Sequence, residues 1–185
     1  TREIHMLRII TATALALLGT SALANPSVGG APMFAEKNII ENAVTSPIHT
    51  TLVAAVQAAG LVETLSGPGP FTVFAPTDEA FARLPAGSVE QLLMPENLGR
   101  LQQILACHVM PTEVFSDAIG SMIAGSGGAQ QIETLGGCTF TARMRDGMIV
   151  IEDGQGQIAT VTVADVDQSN GVIHVIDRVL LPARS

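Results

Sequence analysis

Apolar positions recur at helical spacing through roughly the first hundred residues and alternate, or run unbroken, through the last fifty. Ile39, Ile40 and Ala43 place a short helix within Met33–Ala43. Leu52, Val53, Val56 and Ala59 form the buried stripe of a second helix. It opens on Ser46-Pro47, a cap followed by proline, and stops at Gly60. Leu61–Leu65 adds a turn, which SGPGP at Ser66–Pro70 breaks. Thr77–Leu84 and Ser88–Leu93 read as short helices capped by Thr77 and Ser88. A third runs from Pro95 to Ala106 with Leu98, Leu101, Ile104 and Leu105 inward. Cys107–Met110 then reads as a short strand ended by Pro111, Val114–Ala124 as one more turn, and Gly125–Gly128 as a flexible loop. Strands follow at Ile132–Leu135, Cys138–Arg143, Met148–Glu152, Ile158–Asp165 and Val172–Leu181, with hairpin chemistry at Asp146-Gly147 and a turn at Asp153-Gly154. Helices first and strands later predict an α+β domain.

Two stretches are specified more tightly than the rest. In FTVFAPTDEAF, Phe71–Phe81, the alternation of Phe71, Val73 and Ala75 against Thr72 and Phe74 predicts a strand. Pro76 ends it in an extended conformation. Thr77 sits where a helix N-cap belongs, Asp78 and Glu79 place negative charge in the first turn, and Phe81 folds back as a hydrophobic staple. In NGVIHVIDRVLLP, Asn170–Pro182, a turn at Asn170-Gly171 leads into an apolar run of the kind covered on both faces. Together the two resemble the signature segments of the fasciclin domain, an extracellular adhesion module, and the resemblance spans Phe34 to Pro182.

That resemblance implies a β-sandwich or wedge of about seven strands with helices packed at one side and edge, the Phe71 and Val172 strands lying in its core. Phe71, Phe74, Pro76, Thr77, Asp78, Phe81, Asn170, Gly171, His174 and Asp177 would be its structural motif residues. In CHVMP, His108 stands in the family's tyrosine-histidine pair with cysteine replacing the tyrosine, a segment linked in animal members to integrin-dependent adhesion. Asp165-Val166 matches the aspartate-isoleucine pair proposed in animal members to engage integrins. His108, Asp165 and Val166 are therefore the candidate partner contacts. Each has a bland reading as well: a histidine holding a strand end, a carboxylate satisfying turn N–H groups, and a valine filling a core pocket.

Composition narrows the picture. Met6-Leu7-Arg8, the apolar Ile9–Leu18 and Ser21-Ala22-Leu23-Ala24 read as a compact secretory leader of bacterial type over Met6–Ala24, with Thr1–His5 as an expression scar. The apolar run is shorter than the roughly 20 residues of a membrane span. Asn25–Met33 reads as a Gly/Pro-rich flexible linker and 34–183 as one domain, secreted or periplasmic and expected to be a monomer. Residues 25–185 carry 7 basic against 16 acidic side chains, a balance that repels nucleic acid and anionic lipid. No Trp or Tyr is present, which removes the usual stacking platforms for sugars and bases. In an exported chain Cys107 and Cys138 are either a disulfide or two separately buried thiols.

Candidate chemistry is sparse. Beyond the leader the histidines are His49, His108 and His174, and neighbours such as Cys107 and His108 on a strand would point to opposite faces. No phosphate loop, dinucleotide fingerprint, nucleophile elbow or zinc-protease motif occurs. Asp153-Gly154-Gln155-Gly156-Gln157 has the look of a calcium loop but lacks the further acidic ligands, and reads as a turn. No cofactor or metal is expected. The leading expectation is a non-catalytic adhesion or surface-recognition module for a cell-surface protein or an envelope or matrix component. A periplasmic small-ligand carrier, which needs an apolar cavity, and a structural envelope protein remain as alternatives.

Overall fold

The computed structural model describes residues 25–184; the leader and scar assigned to residues 1–24 lie outside them. Short helices come first: α1 (Ile39–Ala43), α2 (Thr50–Ala58) and α3 (Val62–Ser66). Strand β1 (Phe71–Pro76) is followed by α4 (Asp78–Ala82), α5 (Ser88–Leu92), a 3-10 turn (Pro95–Asn97) and α6 (Leu98–Ala106). After β2 (Val109–Met110) and α7 (Ser116–Gly125) come β3 (Gln130–Glu133), β4 (Thr139–Arg145), β5 (Met148–Glu152), β6 (Ile158–Gln168) and β7 (Gly171–Ile176). The strands form one mixed sheet in the order β2-β1-β7-β6-β5-β4-β3. The two signature stretches lie side by side: β1 and β7 pair in parallel, Phe71 opposite Gly171 through Pro76 opposite Ile176, while the remaining pairs are antiparallel. A parallel neighbour so distant in sequence needs both faces covered, and every residue of β7 is buried.

Each face has its own core. Val73 and Ala75 of β1, with Ile173 and Val175 of β7, pack under α1, α2 and α6 beside Leu52, Val56 and Leu105. On the opposite face Phe74 and Ile176 meet Phe140 and Ile151 of β4 and β5, together with Ile119 and Ile123 of α7. The long β6 makes this possible. It pairs with β5 near its start and with β7 over most of its length, and register shifts between Val161, Val163 and Val166 bend it, so the two halves of the sheet close on a shared core. This is the wedge with helices at one side that the resemblance implied. The β4–β5 hairpin turns at Asp146 and Gly147, both at positive φ (51° and 78°), as a tight two-residue turn requires.

Several boundaries depart from the sequence expectation. The Val114–Ala124 turn is the ten-residue α7. Cys107 ends α6 instead of starting a strand, and Leu98 is 36% exposed instead of inward. β7 stops at Ile176, where Asp177 accepts from Thr160 N at 2.7 Å and pairs with Arg83 at 3.3 Å. Asn25–Met33, expected as a free linker, is docked: Val28 and Met33 are buried, and Asn25 exchanges two hydrogen bonds with the Asp167 backbone at 2.7 and 2.8 Å. The open question of the cysteines resolves as a disulfide, Cys107–Cys138, with Cα atoms 5.4 Å apart and a separation of 31 residues. Closing such a loop stabilises a domain by roughly 3–4 kcal/mol.

Candidate functional site

The residues that the resemblance singles out are spent inside the fold. His108 is buried beneath the last segment of the chain. Its Nδ1 lies 2.8 Å from the Ile104 carbonyl and its Nε2 accepts from Leu180 N at 2.9 Å, so the proton sits on Nδ1. Burial pushes its pKa down to about 4, against the opposing pull of the Ile104 carbonyl and the Asp153 charge. Both ring nitrogens of His108 are engaged within the fold.

Asp165 and Val166 are placed in the same way. Val166 is fully buried in the helix-side core. Asp165 sits at φ 59°, a left-handed conformation that Asp tolerates better than most residues. Its carboxylate turns onto the start of α7, accepting from Ser116 N at 2.6 Å and from the Ser116 hydroxyl. The residue before α7, Phe115, has no capping side chain, so a helix 49 residues away takes its cap from β6. His174, stacked on Phe74 with centroids 5.7 Å apart, completes the arrangement. Its Nδ1 accepts from Asp165 N at 3.3 Å, and its Nε2 donates to the Val114 carbonyl at 2.9 Å. Burial lowers its pKa against the Val114 carbonyl and the Asp165 charge.

The first signature repeats this device. Thr77 caps α4, accepting from Ala80 N at 3.2 Å, as its position predicted. Asp78 does more than complement the dipole of its own helix. Its carboxylate reaches α2, accepting from Thr51 N at 2.7 Å and the Thr50 hydroxyl at 2.8 Å. The residue preceding α2 is His49, which provides no cap. Desolvation opposes the charge on Asp78, but the bonds from Thr51 and Thr50 outweigh it and hold the pKa below the usual carboxylate value. Asp78→Ala is expected to cost about 1–2 kcal/mol in chemical denaturation, with Asp78→Asn losing less. An unchanged denaturation midpoint in Asp78→Ala would exclude the capping role.

Asn170 is the third such residue. Its Oδ1 accepts from Ile39 N at 3.0 Å, and its Nδ2 donates to the carbonyls of Leu65 and Gly67, both at 2.8 Å, tying α1 and α3 to the entrance of β7. Asp153, in the loop with the look of a calcium site, accepts from Gln155 N, Gln157 N and Leu181 N at 2.8–3.0 Å and is the centre of a turn. Among the described residues no group of three or more His, Cys, Asp and Glu side chains is placed to hold a metal ion. No described helix is long and apolar enough to cross a membrane.

Two features of the helical side were not read from the sequence. Leu93 (38%), Met94 (44%) and Leu98 (36%) are each exposed along the stretch where α5 passes through the 3-10 turn into α6. Mean apolarity flags these positions but cannot tell an inward leucine from an outward one. A cavity of about 90 Å³ lies between the N-terminal segment Val28 to Ala43, α2, α3 and the β1–β7 face; voids left by packing have no local sequence signal.

The two signature strands pair in parallel at the centre of one seven-stranded mixed sheet with helices packed on it. The chain belongs to the fasciclin domain family, whose family model matches residues 47–182. It is 49% identical over 144 residues to Protein sll1483 of Synechocystis, covering 78% of this chain and 73% of that one. It is 32% identical over 168 residues to the cell surface glycolipoprotein MPB83 of Mycobacterium bovis, covering 87% and 68%. It also matches transforming growth factor-beta-induced protein ig-h3 of Sus scrofa at 37% over 131 residues, 71% of this chain but 17% of that far longer protein. Among solved structures, the FAS1 domain pair of the insect cell adhesion molecule fasciclin I superposes with a TM-score of 0.70 at 20% identity, over 78% of this chain and 51% of that one, a likeness of fold.

Proposed function

We propose that this chain is an exported, non-catalytic recognition module that binds a protein at a cell surface or in an envelope or matrix through its outer surface. The observation that carries this reading is the inward assignment of the signature polar groups. His108, His174, Asp165, Asp78 and Asn170 each hold the scaffold together by hydrogen bonds, which leaves binding to exposed side chains. Its similarity to the cell surface glycolipoprotein MPB83 supports a role at a surface outside the cytoplasm. The contact surface in this reading is the corner that carries Leu93, Met94 and Leu98, three large apolar side chains exposed close together in sequence. In this reading His108, Asp165 and Val166 serve the scaffold, and the contact falls to this corner instead. The test is retention of cells on beads coated with residues 25–185, against beads carrying an unrelated acidic protein. Retention well above that control is the expected result, and retention equal to it overturns the proposal.

A further inference from the structure

We propose that the cavity on the helical side is a binding site for the end of a linear alkyl chain, carried by a small amphiphile whose polar head stays in solvent. The cavity of about 90 Å³ has Val73, Ala75 and Ile173 as its floor, and Met33, Ile39 and Val56 among its walls. Its buried polar neighbours offer nothing to a polar guest. Ser46 Oγ and His49 Nδ1 bond each other at 2.8 Å, His49 Nε2 faces the Ala75 carbonyl at 3.4 Å, and both nitrogens of His108 are taken. A water molecule needs two to four polar partners to stay in such a space, so the cavity favours an apolar guest.

The volume and the lining narrow the class. An apolar cavity of about 150 Å³ accepts benzene; this smaller one suits a chain of roughly three to five carbons. The way out is apolar too. Of the lining residues that reach solvent, Ile40 and Ala43 of α1, Val53 of α2, Leu61 and Val62 are half-buried, Leu135 is exposed, and Gln57 and Thr64 are the exposed polar ones. A chain end inside with a polar head beside Gln57 and Thr64 satisfies both parts. One wall belongs to the strap, Val28 to Ala43, which precedes the residues matched by the family model. It is held on the end of β6 and the turn into β7 by hydrogen bonds from Asn42 to Gln168, from Ser169 N to the Lys37 carbonyl and from Ile39 N to Asn170.

The test is a titration of the chain from Asn25 onward, which contains the whole described fold, with primary alcohols from ethanol to octan-1-ol, followed by methyl NMR. The expected result is saturable shifts confined to the methyl groups of Val56, Leu65, Val73 and Ile173. Affinity should rise about fourfold per added methylene until the chain fills the cavity, and level off at roughly three to five carbons. Ala43→Met and, independently, Val53→Met fill the mouth and are expected to abolish the saturable shifts while leaving the folded spectrum intact. Two substitutions on different helices keep the test valid if one fails to fold. Shifts that grow linearly, spread over the surface, climb without limit with chain length or persist in the folded filled variants overturn the proposal.

Discussion

Acidification from about pH 7.5 to about pH 5 is expected to destabilise this domain strongly, well before its carboxylates titrate. His108, His49 and His174 all have pKa values lowered by burial, His108 to about 4. At each site a hydrogen bond or a neighbouring carboxylate opposes the shift and loses to desolvation. The direction follows from proton counting. Between the folded value near 4 and the unfolded value near 6.5 the unfolded chain holds a proton on His108 that the native state does not, so stability rises with pH in that window. The stability is fully present above about pH 6.5 and is lost as pH falls towards 4, on the order of 3 kcal/mol for His108 alone. His49 and His174 add to it in the same direction. Urea denaturation across this range should show uptake of more than one proton on unfolding. His108→Gln should lower stability at pH 7.5, by disturbing the bonds to Ile104 and Leu180, and reduce the slope against pH by about one proton. A pH-independent midpoint between about 7.5 and 5 would contradict the buried neutral assignment.

Gly171→Ala is expected to abolish folding or to cost about 4 kcal/mol or more. A Cβ on Gly171 would lie 2.0 Å from the Phe71 carbonyl oxygen and 2.8 Å from the Phe71 carbonyl carbon and nitrogen, all backbone atoms of the paired strand. Neither strand can yield, because Phe71–Pro76 and Gly171–Ile176 are locked in register along their whole length. The control is Gly147→Ala in the β4–β5 hairpin. Gly147 also has positive φ, 78°, but nothing lies within 4 Å of its would-be Cβ. That variant meets only the left-handed penalty of roughly 1–2 kcal/mol. Equal effects of the two substitutions would show that conformation alone, and not the approach of β7 to β1, makes Gly171 necessary.

Local pattern made much of this legible. The strand–turn–helix at Phe71–Phe81, the Asp146-Gly147 turn and the helix stop at Gly60 are each written in a few adjacent residues, and each stands where the sequence places it. What stayed hidden depends on groups far apart in the chain. Val114–Ala124 lacks a local cap, so α7 reads as a single turn until Asp165 arrives from β6. Ser46 is a natural cap by type, yet it bonds His49, and α2 is held by Asp78 28 residues on. Asn25–Met33 has linker composition, but Asn25, Val28 and Met33 find partners and cover that only the assembled sheet and helices provide. The same limit applies to the candidate contacts. Sequence identified Asp165, Val166 and His108 as special and could not tell a scaffold role from an exposed one, since that depends on which way each side chain faces.

The central claim is that recognition belongs to the outer surface and the signature residues belong to the scaffold. The most direct measurement compares cell retention on beads coated with three folded proteins: wild type, the double variant Met94→Asp, Leu98→Asp, and Asp165→Asn. Circular dichroism would confirm that all three are folded. The account predicts that the double variant loses retention to the control level, while Asp165→Asn is less stable to urea yet retains cells as wild type does. Retention unaffected by the double variant but lost in folded Asp165→Asn would contradict it and return the contact to the β6 loop.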